Sequence, residues 1–407
     1  MVIDFADPAV QKCPFPAYEA LRDTQPIYRD PATGFYQVLD YDLVRQAATD
    51  HLNFSSKTGL LMVRDGPMKE QLARVYATEG VPPVQLLVAG DQPEHSFHRA
   101  LIDKAFTPSR VRKMEDYLTG LIAELIARMK PEEEIDFVQS LAVLVPMSVM
   151  ADQIGITRND IPMFKRWSDA AVASVNPQTP PERQIDLAKI ICELHRYLIR
   201  KAAEYREKPA DCMLSDLVHA NVDGRELDSG ELVSIVQILL VAGNETTTNV
   251  MSSGFLQLIL KPELQDELRG NLGRINNFVE EVLRAESPLQ GMFRKAVNDV
   301  ELGNTHIPAG SILLLRFGAA NRDPKRFPEP DKFVSERTNA RQHLAFGTGI
   351  HFCIGNQLAR AELRIAFQLL LERMKDIRLA RSDTAVVRTA HYFIYGISQL
   401  RFVFSDR

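Results

Sequence analysis

The sequence predicts a mainly α fold with a minor β component, a helix-rich single domain over residues 1–407. Three observations predict it. Helical spacing of apolar residues dominates the middle of the chain, and short strand-like runs stand on either side of it. No internal repeat, low-complexity tract or Gly/Ser linker divides the two, so they interleave as one fold. With 45% hydrophobic and 25% charged residues, the chain can bury a large core.

From the N-terminus, two apolar runs between Ile27 and Tyr41 lie on either side of Pro31-Ala32-Thr33-Gly34, the pattern of a hairpin. The stretch from Gly59 to Gly90, rich in Gly, Pro and Val, reads as a long excursion over a pocket. From Pro108 to Tyr205 the spacing is helical; Leu118, Leu121, Ile122, Leu125 and Ile126 form one apolar stripe. Asp228, followed three residues later by Glu231, is a capping box, and Leu232 to Val241 continues it as a buried central helix. A helix over Ile275 to Arg284 ends before Pro288. Strands are expected at Val300 to Leu302, Ile312 to Leu315, Tyr392 to Tyr395 and Leu400 to Phe404.

Several functions are excluded by composition. A net charge of -5 with both signs interspersed offers no basic stripe to nucleic acid. Cys13, Cys192, Cys212 and Cys353 lie far apart with no C-x-x-C spacing, which argues against a zinc site or a disulfide framework and fits a reducing cytoplasm. The start Met1-Val2-Ile3-Asp4 has neither a cationic segment nor an apolar stretch of signal-peptide length. Apolar runs at Phe137 to Ala151 and Ile235 to Gly243 fall short of the roughly 18 residues a membrane span needs. A cytoplasmic monomer is therefore expected, with neither nucleic acid nor membrane as partner.

The string Phe346-Gly347-Thr348-Gly349-Ile350-His351-Phe352-Cys353-Ile354-Gly355 carries the most chemistry. Two glycines before the cysteine and one after it remove bulk where backbone must turn and approach a flat ligand. Asn356 to Met374 continues with helical spacing, which puts Cys353 at a helix entrance, where amides favour an anion such as a thiolate. A free cysteine taken alone is more often a small buried hydrophobe. The neighbours reverse that reading. The string resembles the haem-binding loop of the cytochrome P-450 superfamily, in which phenylalanine, two glycines and a basic residue precede the cysteine ligand and a glycine follows.

The resemblance implies a soluble bacterial-type haem-thiolate monooxygenase with the superfamily's triangular single-domain fold. It makes Cys353 the axial ligand of the iron of haem b, with Phe346 packed beside it, amides around Gly355 donating to sulfur and His351 donating to a haem propionate. Three further stretches agree. Glu281-Val282-Leu283-Arg284 pairs a carboxylate and a guanidinium on one helical face, with Arg337 the third member of a buried structural cluster. Ala242-Gly243-Asn244-Glu245-Thr246 resembles the oxygen-activation motif: Ala242 and Gly243 would lie against the porphyrin, Thr246 would bond an oxygen species and Glu245 would relay protons. His95 and Arg99, one helical turn apart, and Arg294 fall at propionate contacts, although Gln92 replaces a proline more usual there.

By the same resemblance the substrate is an apolar small molecule (a terpenoid, steroid, fatty acid or aromatic), with dioxygen as co-substrate. Pocket candidates are Ile238, Ala242, Leu289, Gln290, Met292 and Tyr392 to Ile394. The sequence carries no flavin- or dinucleotide-binding glycine signature, so electrons are expected from a small acidic ferredoxin and its ferredoxin reductase. Arg110, Arg112, Lys113, Arg360 and Arg364 form the expected docking patch. A peroxide-driven or non-oxygenase haem-thiolate enzyme stays open as an alternative, with Glu245 and Thr246 arguing against it. His98, His195, His219 and His343 are read as packed or solvated, His343 also bracing the loop.

Overall fold

The computed structural model describes residues 3–58, 67–103, 106–156, 160–176, 179–222 and 224–406. It forms two compact units. The first comprises Met1–Ser55, Val111–Val145 and Thr246–Arg407, and the second Ser56–Arg110 and Pro146–Glu245.

In the first unit, the expected hairpin forms between Ile27–Arg29 and Tyr36–Val38, with Asp30 accepting from Ala32 N and Thr33 Oγ1 across its turn. Tyr36–Val38 then pairs in parallel with Ile312–Leu315, which pairs antiparallel with Met292–Ala296, and Phe54–Ser55 closes the sheet. Val38, Leu313, Leu315 and Phe54 are buried on this sheet, whose pleated face their apolar side chains fill. A second sheet joins Met374–Leu379, Ile397–Asp406, Val386–Arg388 and Ile135–Asp136. The helix Ile275–Glu286 packs on Asn356–Arg373, with the rings of Phe278 and Phe367 5.1 Å apart, edge to face.

In the second unit, Pro67–Glu79, Ile161–Ser174 and Pro181–Glu207 pack side by side. A Cβ at Gly80 would lie 2.6 Å from Cys192 Sγ, so a bare backbone is what lets the chain leave the first of these helices there. The central helix spans Ser229–Leu260, and its capping box closes as expected: Glu231 N donates to Asp228 Oδ1 (2.8 Å) and Asp228 N to Glu231 Oε2 (3.1 Å). Among the described residues no helix is long and apolar enough to cross a membrane.

Two expectations give way. The stretch 59–90 is not one excursion: residues 59–66 lie outside the described residues, and Pro67–Glu79 is a helix. Its Met-Lys-Glu-Gln-Leu-Ala-Arg run is made of good helix formers, and Leu72 anchors it at 4% exposure. Tyr392 to Tyr395 is not a strand, only one isolated bridge between Leu289 and Ile394. There His391 Nδ1 accepts from the amides of Phe393 (3.3 Å) and Ile394 (3.2 Å), a local partner that competes with a ladder.

Candidate active site

The loop before Asn356–Arg373 is built by its own backbone. Cys353 N donates to Phe346 O (2.9 Å), Gly347 N to Leu344 O (2.9 Å) and Phe352 N to Gly349 O (3.1 Å), which folds the segment back on itself. Gly347 (φ 69°) and Gly349 (φ 68°) occupy the left-handed region that this reversal requires. Gly355 is the N-cap, with no side-chain cap, and Asn356 Nδ2 donates to Cys353 O (2.7 Å). Cys353 itself is half-buried at a helix N-terminus whose amide dipoles favour negative charge.

Phe346 is held between two groups. The Arg360 guanidinium stands 4.5 Å from its ring centre on one side, and the His343 ring lies 5.5 Å away. Both lead to Glu280, which is 1% exposed. Arg360 donates to it through Nε (2.6 Å) and Nη2 (3.0 Å), and His343 Nε2 lies 3.1 Å from Oε2. Because Ala345 N donates to His343 Nδ1 (3.1 Å), that nitrogen carries no proton, and the neutral ring donates from Nε2. Burial alone would raise the Glu280 carboxyl. The bonds from His343 and Arg360 outweigh it and hold the group at about 2.

Glu281 forms the expected cluster. Arg284 donates to it from Nε (2.8 Å) and Nη2 (2.9 Å), Arg337 Nε reaches both oxygens (3.1 and 3.2 Å), and Val334 N adds a fourth donor at 2.9 Å. The remaining guanidinium hydrogens go to the carbonyls of Asn321, Pro328, Glu329, Pro330 and Lys332. The side chains of Glu281 and Arg284 are fully buried.

The central helix loses its burial in the middle. Leu240 is fully buried and Val250 nearly so, whereas Ala242 is exposed and Gly243, Glu245 and Thr246 are half-buried. The bare side of Gly243 meets Met150, whose Sδ would lie 3.2 Å from a Cβ, so the glycine gives that side chain room in the packing. Beside Thr246, Thr247 bonds Glu362 on the helix that follows Cys353. Burial pushes the Glu362 carboxyl up to about 8, and it is protonated at neutral pH.

His95 is 3% exposed; burial, then the charge of Arg99, lowers it below the usual histidine value. Arg99 Nε donates to Asp103 Oδ1 (2.8 Å), and Arg294, on the strand Met292–Ala296, is 4% exposed with Nη1 on Phe293 O (2.8 Å). The docking patch is thinner than its composition suggests. Arg110 pairs with Asp216, Arg360 with Glu280 and Arg364 with Glu115, which leaves Arg112 and Lys113 as its exposed cations without an ion pair among the described residues. Among the pocket candidates, Gln290 and Tyr392 belong to the core. Gln290 bonds Tyr18 and the carbonyls of Glu286 and Ser287, and Tyr392 bonds Asp30 and Gln37. His98 and His195 are buried on Glu231 and Gln237 as packed residues, and His219 Nδ1 lies 2.8 Å from Ser215 O. The sequence reading missed Glu280 and Glu362, because no motif marks a residue whose partners lie about 60 to 115 positions away, and it missed Asn356, whose partners Cys353 and Arg360 are local but match no motif.

The family model described as Cytochrome P450 matches residues 61–376. A steroid C26-monooxygenase of Mycobacterium tuberculosis is 32% identical over 389 residues, covering 96% of this chain and 93% of that protein. Among solved structures, cytochrome P-450 CREJ in complex with (4-ethylphenyl) dihydrogen phosphate superposes with a TM-score of 0.90 at 30% identity, covering 100% of this chain and 99% of the other. Bacillus megaterium CYP109E1 in complex with testosterone does so with 0.85 at 31%, covering 97% and 98%. The chain therefore belongs to the cytochrome P-450 family. It is a haem-thiolate monooxygenase of the bacterial type, and its cofactor is haem b with the iron on a cysteine thiolate. The residues present fit that group: a half-buried cysteine in a glycine loop at a helix N-terminus, and a space beyond Gly355 where a Cβ would meet no atom within 4 Å.

Proposed function

We propose that this P-450 hydroxylates an apolar small molecule, with Cys353 as the thiolate ligand and the whole chain working as one domain. The observation that carries this reading is the Cys353 loop, where two left-handed glycines and the Phe346 carbonyl present a half-buried sulfur at a helix N-terminus. Overall, one oxygen atom of dioxygen enters a C–H bond, and the other leaves as water with two electrons and two protons. When bound, haem supplies the activation of dioxygen at a thiolate-ligated iron.

The chain's own residues do the rest. His95, Arg99, Arg294 and His351 would hold the propionates, and Phe346 and Gly355 would shape the sulfur side. Ala242 and Gly243 would help hold the group, Thr246 would orient the proton that is delivered, and Glu245 would pass it in from solvent. Steroids are the first substrate class to test, because one relative is a steroid C26-monooxygenase and one structural neighbour holds testosterone. Electrons come from a ferredoxin and its reductase, docking at exposed Arg112 and Lys113.

The experiment is the absorption spectrum of the ferrous carbon monoxide complex, followed by titration with steroids and turnover with reduced ferredoxin or with peroxide. The wild type should show the thiolate signature and Cys353→Ser should lose it; a serine variant with an unchanged signature overturns the assignment. Turnover that needs peroxide, or that keeps its salt dependence in Arg112→Glu, removes the ferredoxin.

A further inference from the structure

A continuous line of hydrogen bonds runs from a buried carboxylate to the backbone of Cys353. Glu280 accepts from Arg360 Nε and Nη2, Arg360 Nη1 donates to Asn356 Oδ1 (2.7 Å), and Asn356 Nδ2 donates to Cys353 O (2.7 Å). The same guanidinium covers the ring of Phe346, whose carbonyl accepts the Cys353 amide. Both ends of the loop are thus tied to Arg360. Arg360 sits one turn into the helix, with its side chain 26% exposed. Glu280 supplies its carboxylate partner from another helix, and His343 secures the second oxygen.

We infer that Glu280 is a positioning residue for the cysteine loop: through Arg360 and Asn356 it fixes the Cys353 backbone and balances the charge beside the sulfur. The inference rests on Cys353 being the iron ligand. Its physical content is a sign. Glu280 faces Arg360 and, at 3.9 Å, the more exposed Arg341, so neutralising Glu280 shifts the charge near the metal centre towards positive and neutralising Arg360 shifts it towards negative. A net positive charge favours the added electron of the ferrous state, and a net negative charge opposes it.

The test is a reductive titration of the haem-loaded protein, without substrate or partner. Glu280→Gln should raise the ferrous-to-ferric ratio at a given potential, and Arg360→Gln should lower it, each roughly three- to tenfold, where tenfold is 59 mV for one electron. Glu280→Asp should return towards the wild type, and Asn356→Ala combined with Glu280→Gln should change the carbon monoxide band by less than the sum of the two. A merely structural role would move both single variants the same way. Shifts of one sign, or of none, in variants that retain their haem overturn the inference. Loss of the thiolate signature in the wild type itself would instead sink the ligand assignment, so the two failures are distinguishable.

Discussion

Glu280 and Glu281 are neighbours on one helix, both buried, and they hold opposite kinds of structure. Glu281 is enclosed by Arg284, Arg337 and the Val334 amide, and those arginines use their other hydrogens on five carbonyls of the 321–332 segment. The cluster ends on itself. Glu280 has Arg360, partly in solvent, the more exposed Arg341 at 3.9 Å and one neutral histidine, and its line of bonds continues through Arg360 to the loop that carries Cys353. Two carboxylates about 100° apart on a helix thereby serve separate ends: one clamps a segment, the other reaches a reactive side chain. Burial alone does not tell a structural ion pair from one coupled to chemistry; where its last donor points does.

The largest effect should come from the closed cluster. Arg284→Ala leaves Glu281 with fewer donors and several carbonyls unpaired, and should cost about 3 to 5 kcal/mol in denaturant unfolding. A loss below about 1 kcal/mol would show that the cluster clamps nothing.

The open cluster should show itself in acid. The Glu280 carboxyl is held at about 2 against an ordinary 4.5, so the unfolded chain binds its proton first as pH falls. Its contribution is complete above about pH 4.5 and disappears as pH falls through the folded value near 2, by about 3 kcal/mol. Glu280→Gln should therefore flatten the acid limb of the stability curve by that amount. An acid limb identical to the wild type would place the stabilising charge elsewhere.

The smallest effect should be that of His343→Gln, which keeps an N–H donor for Glu280 but loses the acceptor for the Ala345 amide, at about 1 kcal/mol. If it costs as much as Arg284→Ala, the histidine is more than a donor.

Much of the site was legible in the chain because its signals are local. The Phe346 to Gly355 string, the capping box at Asp228 and Glu231, and the i, i+3 pair Glu281 and Arg284 each fall within about one or two turns of backbone, where sequence spacing sets distance. The helix at Pro67–Glu79 was hidden by its surroundings: glycine and proline on both sides obscured a good helix former between them. Glu280 was hidden differently. On a helix buried all round from Phe278 to Glu286, apolar spacing does not say which acid faces which partner.

The sequence by itself determined the family, the helical content, the cysteine loop and the members of the Glu281 cluster, because these depend on residue type and short spacing. Only the tertiary structure decided that Arg360 turns inward to Glu280, that Gln290 and Tyr392 serve the core, and that Gly243 makes room for Met150. Those outcomes depend on which side chain from a distant part of the chain arrives with a matching donor or the right volume, and that meeting is settled by packing.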